Sequence, residues 1–253
     1  TMGVIEMQLA DRHRIQGKLN GVVPRVGELL PEKIESLLAA FAGAEAHIPA
    51  LTPAPGRRPT LCAGCPHRAS FFAIKKAAPR GIYTSDIGCY TLGLNLKAVD
   101  TVLCMGAAIS QAAGFYHAYK HEAKRPDIVA TIGDSTFFHA GLPAIVNAVF
   151  NQHNITLILM ENGTTAMTGH QPHPGVDMQQ LQMDGFGRVS IEAVVRAVGV
   201  PHVTLVKPYK VKKSIEAIRA AIDFKGVSVI ISHETCSLYA KSLKLARRKP
   251  FEV

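Results

Sequence analysis

Ile128-Val129-Ala130-Thr131-Ile132-Gly133-Asp134-Ser135-Thr136 and Ile155-Thr156-Leu157-Ile158-Leu159-Met160-Glu161-Asn162-Gly163-Thr164 are the stretches that decide the fold. Each is a short apolar run that ends in a turn bearing an oxygen ligand. A helix-like segment from Gly141 to Gln152 lies between them, so the chain reads strand, turn, helix, strand, turn. In a parallel sheet such turns lie side by side at the carboxyl edge, where ligands bind. Asn162 follows Asp134 by 28 positions. A carboxylate, an amide oxygen and the nearby Thr164 carbonyl are hard ligands that suit Mg²⁺, which usually shares its shell with phosphates and water. Gly133 lets backbone approach a phosphate, and the amides of Ser135 and Thr136 can donate to it. The competing reading is a pair of ordinary Asx turns.

Working outward, strands are expected at Gly81-Thr84, Thr101-Met105, Ile128-Ile132, Ile155-Met160, His202-Val206 and Val227-Ser232. Helical patterns such as Ala107 to Ala123 and Val211 to Phe224 alternate with them. Strand–helix alternation implies an α/β fold with a mostly parallel sheet and helices on both faces. Residues 1–58 read as an N-terminal arm: a weak strand pattern from Met2 to Leu9, an amphipathic helix from Pro31 to Ala42, and a linker over the stretch Pro49 to Pro59, which holds Pro49, Pro53, Pro55 and Pro59. The ligand-binding domain is expected over residues 59–253. The Ala/Gly/Ser-rich helix from Ala107 is expected at an inter-domain or subunit interface.

The five cysteines are Cys62, Cys65, Cys89, Cys104 and Cys236. An odd count without a signal-peptide pattern points to a reducing, cytoplasmic setting rather than a disulfide framework. Cys62-Ala63-Gly64-Cys65-Pro66 is a Cys-x-x-Cys hook on a turn, Cys89 follows Asp86-Ile87-Gly88, and Cys236 follows the last strand. Cys104, inside Val102-Leu103-Cys104-Met105, is expected to be buried. Four loop thiols fit either a structural zinc or a [4Fe–4S] cluster.

The net charge of +9 leaves a basic surface, including Lys207, Lys210, Lys212 and Lys213. Aromatic residues are 6% of the chain and no nucleic-acid motif is present, so nucleic acid is not the expected partner. No apolar run reaches transmembrane length. His67, His139, His170 and His173 fall in or beside the motif loops. His139 and His170 follow the two oxygen-bearing turns and are the candidate catalytic residues, able to orient substrate or move a proton near neutral pH.

The Gly133-Asp134-Ser135 turn followed by Asn162 resembles the diphosphate motif of thiamine diphosphate enzymes. Leu61-Cys62-Ala63-Gly64-Cys65-Pro66-His67-Arg68, Phe137-Phe138-His139 and Thr165-Ala166-Met167-Thr168-Gly169-His170-Gln171 add a closer likeness. They resemble the large subunit of indolepyruvate:ferredoxin oxidoreductases, within the 2-oxoacid:ferredoxin oxidoreductase superfamily. The resemblance implies a thiamine diphosphate-binding fold. Mg²⁺ is then held by Asp134, Asn162 and Thr164, with Gly133, Ser135, Thr136 and Met167 around the cofactor. It also implies a [4Fe–4S] cluster on Cys62, Cys65, Cys89 and Cys236. The reaction implied is oxidative decarboxylation of a 2-oxo acid such as indolepyruvate, with coenzyme A as co-substrate and ferredoxin as electron acceptor. Such subunits also have an amino-terminal pyrimidine-binding half and usually a carboxyl-terminal ferredoxin-like domain, neither of which is seen in this sequence. The expected partners are therefore the pyrimidine-binding half and the small subunit of the same enzyme. A non-redox thiamine diphosphate decarboxylase or carboligase with a structural zinc is the alternative.

Overall fold

The computed structural model describes residues 15–45, 56, 58–177 and 184–243. Two units separate between Arg58 and Pro59. In the first, helix α1 (Pro31–Ala42) starts on a proline, whose fixed φ suits a first turn, and ends at Gly43 in the left-handed conformation (φ 65°). None of its residues is buried within the described residues. The strand expected from Met2 to Leu9, most of the proline-rich linker, and the basic run beyond Lys241 lie outside the described residues.

The second unit is built on six parallel strands: β1 (Ile82–Ser85), β2 (Thr101–Val102), β3 (Ile128–Gly133), β4 (Ile155–Glu161), β5 (His202–Val206) and β6 (Val227–His233). Their order across the sheet is β2-β1-β3-β4-β6-β5. The central strands β3, β4 and β6 are buried almost throughout, which fits their continuous Val/Ile/Leu runs. Alternate residues face opposite layers. Ile155, Leu157 and Leu159 pack with α3 (Ala107–Tyr119), α5 (Leu142–Phe150) and α6 (Ile191–Ala197). Ile158 and Met160 pack with α2 (Pro66–Ala77) and α7 (Val211–Asp223) on the other face. Each such side chain, fully buried, contributes about 1.5–3 kcal/mol.

One expectation needs correction. The strand at Thr101 is two residues long and lies at the sheet edge, so the chain leaves the sheet at Leu103 and Cys104 is exposed rather than buried. One face of α3 packs on the protein's own sheet. Ala108, Ile109, Ala112 and Ala113 are buried, and the three alanines let α3 lie close to β1 and β3, while Ser110 and Gly114 on the other face are exposed. Among the described residues, no helix is long and apolar enough to cross a membrane.

Topology places the site. β1 pairs with β2 on one side and β3 on the other, so the connections after β1 and β3 leave in opposite directions. A crevice opens at that point on the carboxyl edge. Register then aligns the strand ends: Gly133 pairs with Met160, and Glu161 with His233. Asp86, Asp134, Asn162 and Cys236 therefore all emerge on one edge.

Candidate functional site: two adjoining cavities

Gly133 ends β3 in extended conformation, and the chain turns directly into a short helix, α4 (Asp134–Thr136). A π turn, Phe137–Gly141, carries it into α5. π turns are rare and frequent at functional sites. Asp134 is buried, and its carboxylate organises both turns. Oδ1 accepts from Ser135 N at 2.9 Å; Oδ2 accepts from Asn162 N at 2.9 Å and Gly163 N at 2.8 Å. Thr164 N donates to Asn162 Oδ1 at 3.1 Å, and Thr165 Oγ1 to Ser135 Oγ at 2.8 Å. A bridge between Thr165 and Gln171 closes the loop that carries Met167 and His170. Asp134, Ser135, Thr136, Asn162, Thr164 and Met167 line one cavity of about 100 Å³, with Gly133 at its base.

Gly133 is required for a reason the sequence did not show. A Cβ there would come within 2.4 Å of the Tyr90 ring. Tyr90 O–H donates to Asp86 Oδ1 at 2.7 Å and lies 3.0 Å from Thr136 Oγ1. Asp86 Oδ2 accepts from Gly106 N at 2.8 Å. This fully buried carboxylate thus pins the loops after β1 and β2 to the turn after β3. Burial pushes its pKa up to about 6, against the opposing hydrogen bonds from Tyr90 and Gly106. Burial also raises the Tyr90 pKa. Sequence reasoning passed over both residues. The available signal was an acid one residue past β1, at the strand where the sheet order reverses.

The four loop cysteines come together in a second cavity of about 200 Å³, lined by Cys62, Cys65, Cys89 and Cys236. Cys62 is exposed and the other three are half-buried. Gly64 allows the tight turn with φ 68°, and Cys65 N donates to Cys62 O at 3.2 Å. Burial pushes the Cys65 thiol up to about 11, with the His67 backbone N–H opposing and the other three sulfurs adding to the rise. Cys89 is raised for the same reason, burial first. A tetrahedral zinc with Zn–S of about 2.3 Å needs its sulfurs roughly 3.8 Å apart. Among the described residues, no three His, Cys, Asp or Glu side chains form a set that could hold a single metal ion.

The two cavities share a wall made by His67, Cys89, Asn162, Ala166 and Met167. His67 is buried, and burial pulls its pKa down to about 4 against the pull of Asp134. Its Nε2 lies 3.3 Å from Asn162 Nδ2. The expected catalytic histidines part company. His139 is exposed on the π turn and lines neither cavity. His170 lines the cysteine cavity in a left-handed conformation (φ 66°), stacked on Tyr239 at 5.4 Å, with Nδ1 buried and unpartnered. His173 lines neither cavity but is buried against Asp134. Its Nδ1 accepts from Gly175 N at 3.2 Å, so Nε2 carries the proton. That Nε2 is 3.1 Å from Asp134 Oδ2 but poorly aimed, and it is left without a hydrogen-bond partner. The Asp134 carboxylate, the Asn162 amide oxygen and the Thr164 carbonyl are hard oxygen donors at one cavity, a set that would suit Mg²⁺ sharing its shell with a diphosphate.

Residues 73–232 match the family model described as "Thiamine pyrophosphate enzyme, C-terminal TPP binding domain". The chain belongs to this family. Asp86, Asp134 and Asn162 lie inside the matched span of this thiamine pyrophosphate-binding domain; Cys62, Cys65 and Cys236 lie outside it. The chain is 44% identical over 247 residues to indolepyruvate oxidoreductase subunit IorA of Pyrococcus horikoshii, covering 89% of this chain and 38% of that protein. The subunit of the same name from Methanothermobacter marburgensis is 39% identical over 239 residues, covering 88% and 37%. The chain thus spans well under half the length of these relatives. A solved 2-oxoglutarate:ferredoxin oxidoreductase from Magnetococcus marinus superposes with a TM-score of 0.63 at 20% identity, covering 72% of this chain and 66% of that one, and so shares the fold.

Proposed function

We propose that this thiamine pyrophosphate-binding domain is one part of a composite active site. The site would carry out oxidative decarboxylation of a 2-oxo acid to an acyl-coenzyme A, with two electrons passed singly to ferredoxin. The net change is 2-oxo acid, coenzyme A and two oxidised ferredoxins to acyl-coenzyme A, CO₂, a proton and two reduced ferredoxins. The supporting observation is the shared wall: a diphosphate-type cavity and a four-cysteine cavity meet at His67, Cys89, Asn162, Ala166 and Met167. A simple decarboxylase has no use for an electron acceptor beside its cofactor.

Asp134, Asn162 and the Thr164 carbonyl would hold Mg²⁺. Gly133, Ser135 and Thr136 would cradle the diphosphate, and Met167 would pack against the cofactor. Cys62, Cys65, Cys89 and Cys236 would hold a [4Fe–4S] cluster. When bound, thiamine diphosphate supplies a carbon nucleophile and electron sink, and the cluster a one-electron acceptor. The chain's own residues anchor the charged diphosphate, exclude water from the shared wall, and keep Cys89 next to the cofactor cavity. His139, exposed on the π turn, is the group available to a substrate held with the partner half. Similarity to the indolepyruvate oxidoreductase subunits suggests indolepyruvate or another aryl pyruvate as substrate. It also suggests a pyrimidine-binding half and a small subunit as partners.

The test is the absorbance spectrum of protein purified without oxygen, before and after dithionite, with metal and sulfide analysis. Iron, acid-labile sulfide and a bleachable band near ~400 nm are expected. Stoichiometric zinc without iron would instead establish a non-redox enzyme with a structural metal. Viologen reduction by a 2-oxo acid should need the pyrimidine half and the partner subunit. Robust turnover by the 253-residue chain alone would refute the composite site.

A further inference from the structure

His67 touches both halves of the site through different atoms. Its ring Nε2 faces Asn162 Nδ2 at 3.3 Å. Its backbone N–H faces the Cys65 thiol closely enough to oppose the rise of that thiol's pKa. Asn162 has an amide whose two ends differ in hydrogen-bond sense. Thr164 N donates to one end at 3.1 Å, which fixes that end as Oδ1. Nδ2 then needs an acceptor, and His67 Nε2 is there to accept. A rotated amide would set N–H against the Thr164 N–H and oxygen against the imidazole lone pair. With His67 in place, Oδ1 keeps a second lone pair free for a cation. Partners that orient a metal ligand in this way typically set affinity by about 10–100-fold.

The ring in turn depends on the cysteine turn. Cys65 is the N-cap of α2, Pro66 its first residue and His67 its second. Cys65 N bonds to Cys62 O at 3.2 Å and Arg68 N to Cys65 O at 3.1 Å, so the hook and the first turn of α2 move as one piece. Cys236 adds a second strut, its backbone N donating to Asn162 O at 3.0 Å. Sulfurs gathered on a common ligand hold this piece in place; four separate thiols do not.

We infer that His67 couples the two cavities, so that assembly of the cysteine cluster raises the affinity of the other cavity for Mg²⁺ and thiamine diphosphate. The inference rests on the function proposed above. His67 acts through Asn162 and is a positioning residue.

The experiment is a thermodynamic cycle on the protein in its native assembly. Thiamine diphosphate with Mg²⁺ is titrated calorimetrically into cluster-loaded and chelator-stripped protein, for wild type and for His67→Leu. Circular dichroism checks the fold of each form. Wild type should bind at least about tenfold more tightly when loaded. In His67→Leu the loaded form should bind as weakly as stripped wild type, with loading changing affinity by no more than about twofold, the additive limit for uncoupled sites. His67→Gln, which keeps an acceptor within reach of Asn162 Nδ2, should restore the dependence. Equal affinity of loaded and stripped wild type would overturn the coupling, as would a loading effect that survives in His67→Leu. Wild type without iron, or without thiamine diphosphate binding, would instead overturn the proposed function and take this inference with it.

Discussion

The two cavities share a wall but are held open by different means. Around Asp134 the protein supplies its own order: three backbone amides on one carboxylate, a fourth amide on Asn162 Oδ1, and a hydroxyl pair between Ser135 and Thr165. Around the cysteines it supplies placement and little else. The thiols lie among Leu61, Leu92, Met167 and Leu238, and burial drives the Cys65 thiol to about 11 and raises that of Cys89. A hydrogen-bonded cradle is complete before its ligand arrives. A thiolate site in an apolar pocket is completed by its metal, which displaces the protons and offsets the desolvation of the charges.

The sharpest test of that difference is removal of single ligands. Replacing Cys62, Cys65, Cys89 or Cys236 by Ser should abolish the broad band near ~400 nm outright, because a site organised by its own metal fails as a unit. Cys104→Ser should leave the band intact, since Cys104 is exposed outside the cavity. A surviving band in the Cys236 variant would break the four-ligand reading.

On the cradle side the losses should be graded. Asp134→Ala should weaken Mg²⁺-dependent thiamine diphosphate binding on the order of 100-fold or more, given that changes one shell further out already cost 10–100-fold. Asp134 bears the charge of the ligand set, and its loss also orphans the amides of Asn162 and Gly163. Asn162→Ala should cost about tenfold, since water can replace a neutral oxygen ligand. Calorimetric affinities that are equal for the two variants would erase the distinction between charged and neutral ligands.

The smallest effect concerns the support beneath the cradle. Asp86→Asn keeps one acceptor but turns an N–H toward either Tyr90 O–H or Gly106 N–H. It should destabilise the fold by about 1–3 kcal/mol in denaturant titrations. Its pH signature carries a definite sign. The folded pKa of about 6 lies above the ordinary 3.8, so the folded state binds more protons between those values. The stability this carboxyl contributes is greatest below pH 4 and falls as pH rises to about 6. In Asp86→Asn that part of the pH dependence should be absent. An unchanged profile would place the titration elsewhere.

Much of this was legible from residue order. The strands other than the one at Thr101 appear within one or two residues of their expected ends, the central three because buried parallel strands need unbroken Val/Ile/Leu runs. The helix from Pro31 to Ala42 appears as its starting proline indicated. Ile191–Ala197 and the 3₁₀ segment Cys89–Leu96 escaped as short segments, and Pro66–Ala77, as long as the Pro31 helix, was read only for the cysteine hook at its start. The exposure of Cys104 escaped as well. Leu103, Cys104 and Met105 read as core but emerge from an edge strand that stops at Val102.

The sequence by itself determined the strand–helix alternation, the two oxygen-bearing turns and the fact that four cysteines stand at loop positions. Those are local properties, set by periodicity and by residue chemistry at strand ends. Tertiary structure alone decided which of them meet. Strand order carried the turn after β6 beside the turn after β4, which brought Cys236 to within bonding distance of Asn162 by its backbone. The reversal at β1 set Asp86 and Tyr90 beneath Gly133. His67 became the side chain between the cavities because the start of α2 passes through the crevice. No spacing along the chain encodes these contacts, since each joins segments whose distance is fixed by the sheet and not by the number of residues between them.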